Sequence, residues 1–174
     1  MQESTQLGTS RGNAPGPSEA LPRLPRRIRC ADPNTWIAEF GHEPHHIRTA
    51  ARWLFPRCGS PESQRKRLLE AVTILHRNAL AHTASGLPGG TVRIRLEKQP
   101  FSFKLAVTDD GPRPGTPLTF PVPTEAPSAE GRPERQGSGL RRLAELALYW
   151  EWDGCAGGPV TVWGIFDRHL PPTR

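Results

Sequence analysis

Four short stretches of this 174-residue chain hold residue types that could do chemistry. Asn78-Ala79-Leu80-Ala81-His82 sets an amide and an imidazole four residues apart, so on a helix both side chains fall on one side. That side borders an apolar stripe, where an Asn needs a reason to be. Asp109-Asp110-Gly111-Pro112-Arg113 follows an alternating apolar run. A carboxylate at a strand end can accept a hydrogen bond from a ligand amine, and Gly111 lets a ligand approach the backbone. Gly137-Ser138-Gly139-Leu140 opens a helical stretch, where free backbone N–H groups and the helix dipole can hold a phosphate. Taken singly, each also has an ordinary reading: a solvated Asn, a D-D-G turn, a flexible hinge. The fourth stretch, His42-Glu43-Pro44-His45-His46, matches the H-E-x-x-H zinc pattern by letter. Pro44 spoils it, because proline fits only the first position of a helix and leaves His42 outside. It reads as a polar helix entrance.

The elements that must position these groups follow from periodicity. Residues 34–40 read as a short strand. Ile47, Ala50, Ala51, Leu54 and Phe55 form one stripe of a helix entered at Pro44 and closed by Pro56 and Gly59. A longer helix spans about 62–84, with Leu68, Val72, Leu75 and Ala79 as its stripe, broadened by Leu69 and Leu80. Val92, Ile94 and Leu96 alternate with charged residues, and Phe101, Phe103, Leu105 and Val107 alternate with Ser102, Lys104 and Ala106, predicting two strands with one buried face. Residues 111–137 hold seven prolines and four glycines and are too long for an ordinary connection, which predicts a lid or binding loop. A third helix over about 138–148 carries Leu140, Leu143, Ala144 and Ala147 on one face. Strands at 149–152 and 160–167 close the chain. Strands in adjacent pairs predict an α+β fold, a two-layer α/β sandwich whose mixed, mainly antiparallel sheet is covered by helices.

Composition narrows the class. Residues 1–27 are rich in Ser, Gly, Pro and Arg and are expected to be a disordered tail, leaving one domain at 28–170 and a short tail at 171–174. The net charge of +6 sits in the front of the chain, since residues 1–67 carry 11 cations and 6 anions. A nucleic-acid binder would want that charge on the folded face, so a nucleic-acid partner is not expected. Three cysteines without a C-x-x-C predict a reduced, cytoplasmic chain. The N-terminus lacks the apolar core of a signal peptide, and no apolar run approaches the roughly 18 residues of a membrane span.

Taken in order, Asn78-Ala79 with His82, Asp109-x-Gly111, the Pro/Gly-rich lid at 112–136 and Gly137-x-Gly139-Leu140 resemble the GHKL (histidine-kinase- and heat-shock-chaperone-like) ATPase superfamily. Within it, the likeness is greatest to the free-standing anti-sigma-factor serine/threonine kinases of actinobacterial type, which close with an aromatic strand and a T-V-W strand, here Trp150-Glu151-Trp152 and Thr161-Val162-Trp163. The resemblance implies the Bergerat ATP-binding fold, ATP and Mg²⁺ as cofactors, and a sigma factor or an antagonist protein as partner, with a homodimer possible. It implies that Asn78 holds Mg²⁺, with His82 in the same motif. Asp109 would accept from the adenine amine, with Gly111 giving the base room. Gly137 and Gly139 would cradle the phosphates, with Leu140 in the same cofactor-binding motif, and Thr161 would support the adenine pocket. One position departs. The family's general base is a Glu four residues before the Asn, and here that residue is Ile74, a hydrocarbon that takes no proton. Glu70 lies eight residues before Asn78, about 12 Å along a helix and roughly 80° round it. No residue is therefore assigned as catalytic, and ATP binding is better supported than phosphoryl transfer.

Overall fold

Alternating strand residues and the helical stripes meet in one core in the computed structural model, which describes residues 23–54, 59, 61–117, 121 and 138–169. Six strands form a single sheet: β1 (Arg26–Ile28), β2 (Thr35–Gly41), β3 (Thr91–Lys98), β4 (Ser102–Thr108), β5 (Tyr149–Gly154) and β6 (Val160–Asp167). Their spatial order is β1-β2-β3-β4-β6-β5. Each neighbouring pair among them is antiparallel, so the expected parallel component is absent from the described residues.

Side chains of one parity form the buried face: Ala38 and Phe40 from β2, Val92, Ile94 and Leu96 from β3, Phe103, Leu105 and Val107 from β4, and Phe166 from β6. Three helices, α1 (His46–Leu54), α2 (Glu62–His82) and α3 (Ser138–Leu146), supply the other half of the core through Ala50, then Leu68, Ala71, Val72, Leu75 and Ala79, then Leu140, Leu143 and Leu146. The result is the two-layer sandwich expected from the sequence. Truncating a fully buried Leu such as Leu68 or Leu105 to Ala costs about 2–5 kcal/mol, from lost burial and the cavity left behind. At 21 residues α2 is about 31 Å long and spans the sheet, which lets one helix serve both the core and the site.

Several boundaries move. Arg26 and Arg27, inside the stretch expected as tail, join Ile28 in an edge strand that pairs with β2, because Ile28 meets Ile37 and Arg26 meets the Glu39 carboxylate. Residues 1–22 and 170–174 lie outside the described residues. The first helix starts at His46, not at Pro44, and Phe55 and Pro56 lie outside the described residues. The long helix stops at His82, where the Thr83 N–H closes on the Ala79 carbonyl, and a 3-10 turn follows at Ala84–Gly86. Leu69 and Ala144, placed on buried stripes, are exposed, while Ala71 and Leu146 take those places. Phe101 precedes β4 and is 78% exposed, so the buried alternation begins at Phe103.

Candidate functional site

The site is built where the C-terminal half of α2, the end of β4 and the start of α3 converge. A Cβ on Gly139 would lie 3.2 Å from Ile74 Cγ2, 3.5 Å from Asn78 Oδ1 and 3.7 Å from Asn78 Nδ2. The first turn of α3 thus rests directly on the α2 face that carries Ile74 and Asn78. A side chain at 139 would fill the space between the helices. Leu140 turns its side chain into the core and anchors that turn. Gly137 and the Ser138 side chain lie outside the described residues. His82 ends α2 on the same helical side as Asn78 and is exposed.

At the sheet end, Asp109 extends β4 by one more pair. Its N–H donates to the Val160 carbonyl at 2.9 Å. Its Oδ1 accepts from Gly111 N–H at 2.7 Å and from Val160 N–H at 3.1 Å. Oδ2 has no partner among the described residues, so one oxygen is braced by backbone and the other can accept from a ligand. Partial burial raises the Asp109 carboxyl above the usual range, against the two backbone N–H bonds, which lower it; the neighbouring Asp110 adds a smaller upward push. Gly111 has φ +84°, and a Cβ there would meet the Gly158 carbonyl oxygen at 2.6 Å. Only glycine lets the chain leave Asp109 in that direction against the β5–β6 turn. Thr161 is paired with Thr108, hydroxyl to hydroxyl at 2.8 Å. Being one residue out of step with the Asp109–Val160 pair, it alternates to the helix-free face of the sheet. The structure does not bring its side chain to Asp109.

A second layer fixes these groups, and the sequence reading missed it. Asp110 accepts from the Thr91 hydroxyl at 2.7 Å, while its N–H donates to the buried Ser85 hydroxyl at 2.9 Å. Arg113 donates from Nε to the Thr83 carbonyl at 3.0 Å and from an Nη to the Leu80 carbonyl at 2.8 Å. A cation on the Leu80 carbonyl, in the last turn of α2, and on the Thr83 carbonyl just beyond it suits the negative end of the helix. With the Thr83–Pro112 bridge and the Ala84 N–H on Gly111 O, Arg113 roots the start of the 112–136 segment on α2. The available signal was a lone Arg among prolines directly after D-x-G. Residues 118–120 and 122–136 of the expected lid lie outside the described residues.

Glu70 is not free to act at the site. Arg142 of α3 donates to both of its oxygens, at 2.6 and 3.3 Å, and also to Glu145 at 2.8 Å. His76 turns the other way and is almost wholly buried; burial depresses its pKa to about 4, helped by the nearby His46. The His42–His46 stretch gives no zinc site: His46 Nδ1 accepts the Gly41 N–H at 3.1 Å, and no cluster of three or more His, Cys, Asp or Glu among the described residues could hold a metal ion.

The model of the histidine kinase-like ATPase domain matches residues 38–159, from β2 to the turn before β6. The chain belongs to that family. No curated protein compared with it matches. Membership in the histidine kinase-like ATPases makes ATP the expected ligand, and the observed donor set fits one. There is an open carboxylate oxygen for an amine, glycine clearance at 111 and 139, and an amide beside a helix N-terminus. A single amide is a thin site for Mg²⁺ alone, which commonly takes most of its ligands from phosphates and water. Among the described residues no helix is long and apolar enough to cross a membrane.

Proposed function

We propose that this histidine kinase-like ATPase domain is a regulatory protein of the anti-sigma-factor serine/threonine kinase branch, in the cytoplasm. It binds ATP with Mg²⁺ and holds a sigma factor or an antagonist protein under nucleotide control, with little phosphoryl transfer of its own. Asn78 would hold Mg²⁺ against the phosphates, the α3 N-terminus would face them, and Asp109 would take the adenine amine. The bound nucleotide supplies a transferable phosphoryl group; the chain's own residues position it and exclude water. A transfer-competent site also needs a group to take the proton from the attacking hydroxyl. The observation that carries the reading is Ile74: its methyl faces Gly139 beside Asn78, where the family places a carboxylate, and Glu70 is held by Arg142.

Calorimetric titration with ATP, with and without Mg²⁺, followed by product analysis, tests this. Saturable binding strengthened by Mg²⁺, with ATP recovered intact, is the expected result. Rapid release of ADP, or rapid phosphorylation of a partner protein, would overturn the limited-transfer part. No binding at all would overturn the whole.

A further inference from the structure

At the opposite edge of the sheet from β5, a cleft of about 280 Å³ opens between β1, the β1–β2 loop and the end of α1. Trp36, Trp53, Arg27, Arg29 and Asp32 are among the residues that line it. None of these residues belongs to the site above.

Three features of this corner agree on an occupant. The first is charge. Residues 23–54 carry Arg23, Arg26, Arg27, Arg29, Arg48 and Arg52 against Asp32, Glu39 and Glu43. Two of the three carboxylates are engaged, Asp32 accepting from Thr35 and Asn34 and Glu39 pairing with Arg26 and Arg93, while Glu43 lies beside His42 and His46 and does not line the cleft. Arg23, Arg29, Arg48 and Arg52 form no ion pair among the described residues, and Arg23, Arg29 and Arg52 are exposed. The second is backbone. The outer edge of β1 has no strand partner among the described residues, so its N–H and C=O groups are open to an added strand. The third is the shape of the cleft. Arg27 faces the same side of the sheet as Ala38 and lies 4.9 Å over the Trp53 ring, leaving a hole beside the strand that suits a large apolar side chain.

We propose that this corner docks an extended, acidic segment of a partner protein, which adds to β1 and inserts one aromatic or long aliphatic side chain between Trp36 and Trp53. The carboxylates meet Arg23, Arg27 and Arg29. Alternate residues of a strand point to one face, so the anchor and its acidic neighbours are separated by the strand's own geometry. A nucleic acid fits less well. The open strand-edge N–H and C=O groups match the alternating donors and acceptors of a peptide strand, which a phosphodiester backbone lacks. This inference stands apart from the nucleotide reading.

The test is selection of a random dodecapeptide display library on the full chain. The enriched peptide is then synthesised with a fluorophore, and its anisotropy is followed on titration. The expected consensus is several acidic residues around a single large apolar one. Binding should weaken with salt, and Arg29→Glu and Arg27→Glu should each lower affinity about tenfold or more. ATP binding should be unchanged in both variants and thermal stability unchanged in Arg29→Glu, whereas Arg27→Glu also loses its contact with the Trp53 ring, so a failed nucleotide site and a failed docking edge are read separately. Enrichment of neutral or basic peptides, or a selected peptide that binds both variants as tightly as wild type, would overturn the proposal. So would displacement of the peptide by single-stranded DNA or phosphatidylserine vesicles at concentrations where excess unlabelled peptide does not displace it.

Discussion

At the Asp109 end of the site, polar groups are partnered in layers: Oδ1 is braced by two backbone N–H groups, Asp110 by Thr91 and Ser85, and Arg113 by the Leu80 carbonyl of α2 and the Thr83 carbonyl that follows it. At the α2–α3 end, about 6 Å of helix present one amide, Asn78, and one hydrocarbon, Ile74, to Gly139, and the nearest carboxylate on α2 is tied to Arg142. The first end is rigidly organised, and on the proposed reading it would hold a base in one orientation. On the proposed reading the second would seat phosphates, and it offers no proton acceptor among the described residues. That difference is what the proposed function rests on: a member that keeps the first end without an acceptor at the second would sense nucleotide more than turn it over.

The comparison can be broken most sharply at Ile74. Ile74→Glu puts a carboxylate on the side of α2 that faces Gly139. A positioned general base is typically worth about a hundredfold to ten-thousandfold, or roughly 3–5 kcal/mol of barrier. The expected outcome is a rise in ATP turnover or partner phosphorylation of that order, with a modest loss of thermal stability, since Ile74 also packs on the core. A large drop in melting temperature with no gain in turnover would make Ile74 a core residue and the contrast between the ends an accident of packing.

The register of α2 underlies that prediction, and His76 checks it independently. If Ile74 and Asn78 face the site, His76 must face the core, where its Nε2 has no hydrogen-bond partner and its pKa falls to about 4. The unfolded chain takes up this proton below about pH 6.5, and the folded chain does so only near 4. Stability is therefore complete above 6.5 and declines as pH falls through that window, by about 3 kcal/mol in all. His76→Leu should flatten this part of the stability–pH curve, measured by urea midpoints between pH 4 and 7. An unchanged slope would place His76 in solvent and shift the helix register.

The recognition end is tested by Asp109→Asn. The amide keeps an oxygen for the Gly111 and Val160 N–H groups but offers a donor where Oδ2 was, so the turn survives while an incoming amine meets N–H. ATP affinity should fall about ten- to hundredfold, roughly 1.5–3 kcal/mol for a bond to a charged group, with little change in melting temperature. Wild-type affinity in this variant would remove Asp109 from base recognition and leave the two ends equally undistinguished.

How much of this was visible in the sequence differs by element. Long periodic segments were plain: α2, β3, β4 and β6 follow from stripes and alternation that tertiary packing only confirms. The convergence of Asn78 with Gly139, 61 residues apart, was legible only through family likeness, because no local pattern brings α3 onto α2. β1 was missed because three residues flanked by Pro and Arg carry no period of their own; pairing with β2 makes the strand. The exposure of Leu69 and Ala144 went unseen for a related reason. A helical stripe gives a direction to within about one residue, and which flank is covered depends on the neighbouring element. The Arg113, Ser85 and Asp110 layer joins side chains to backbone groups across elements, which composition and spacing do not reveal.

The smallest expected effect belongs to the Glu70–Arg142 pair, and it bears most closely on what the apolar end means. Both side chains are close to half exposed, at 44% and 46%. An ion pair this wet contributes at most about 1 kcal/mol and is screened by salt. Arg142→Ala should therefore shift thermal stability slightly and ATP affinity by no more than about threefold, the latter only as far as the pair holds α3, and with it Gly139, against α2. It should not raise turnover: a released Glu70 still lies two helical turns from Asn78, too far to reach a hydroxyl that attacks beside it. A rise in turnover on releasing Glu70 would reverse the reading. The carboxylate would then be a base held in reserve by Arg142, and the apolar end a site switched off by an ion pair, with Ile74 merely clearing its path.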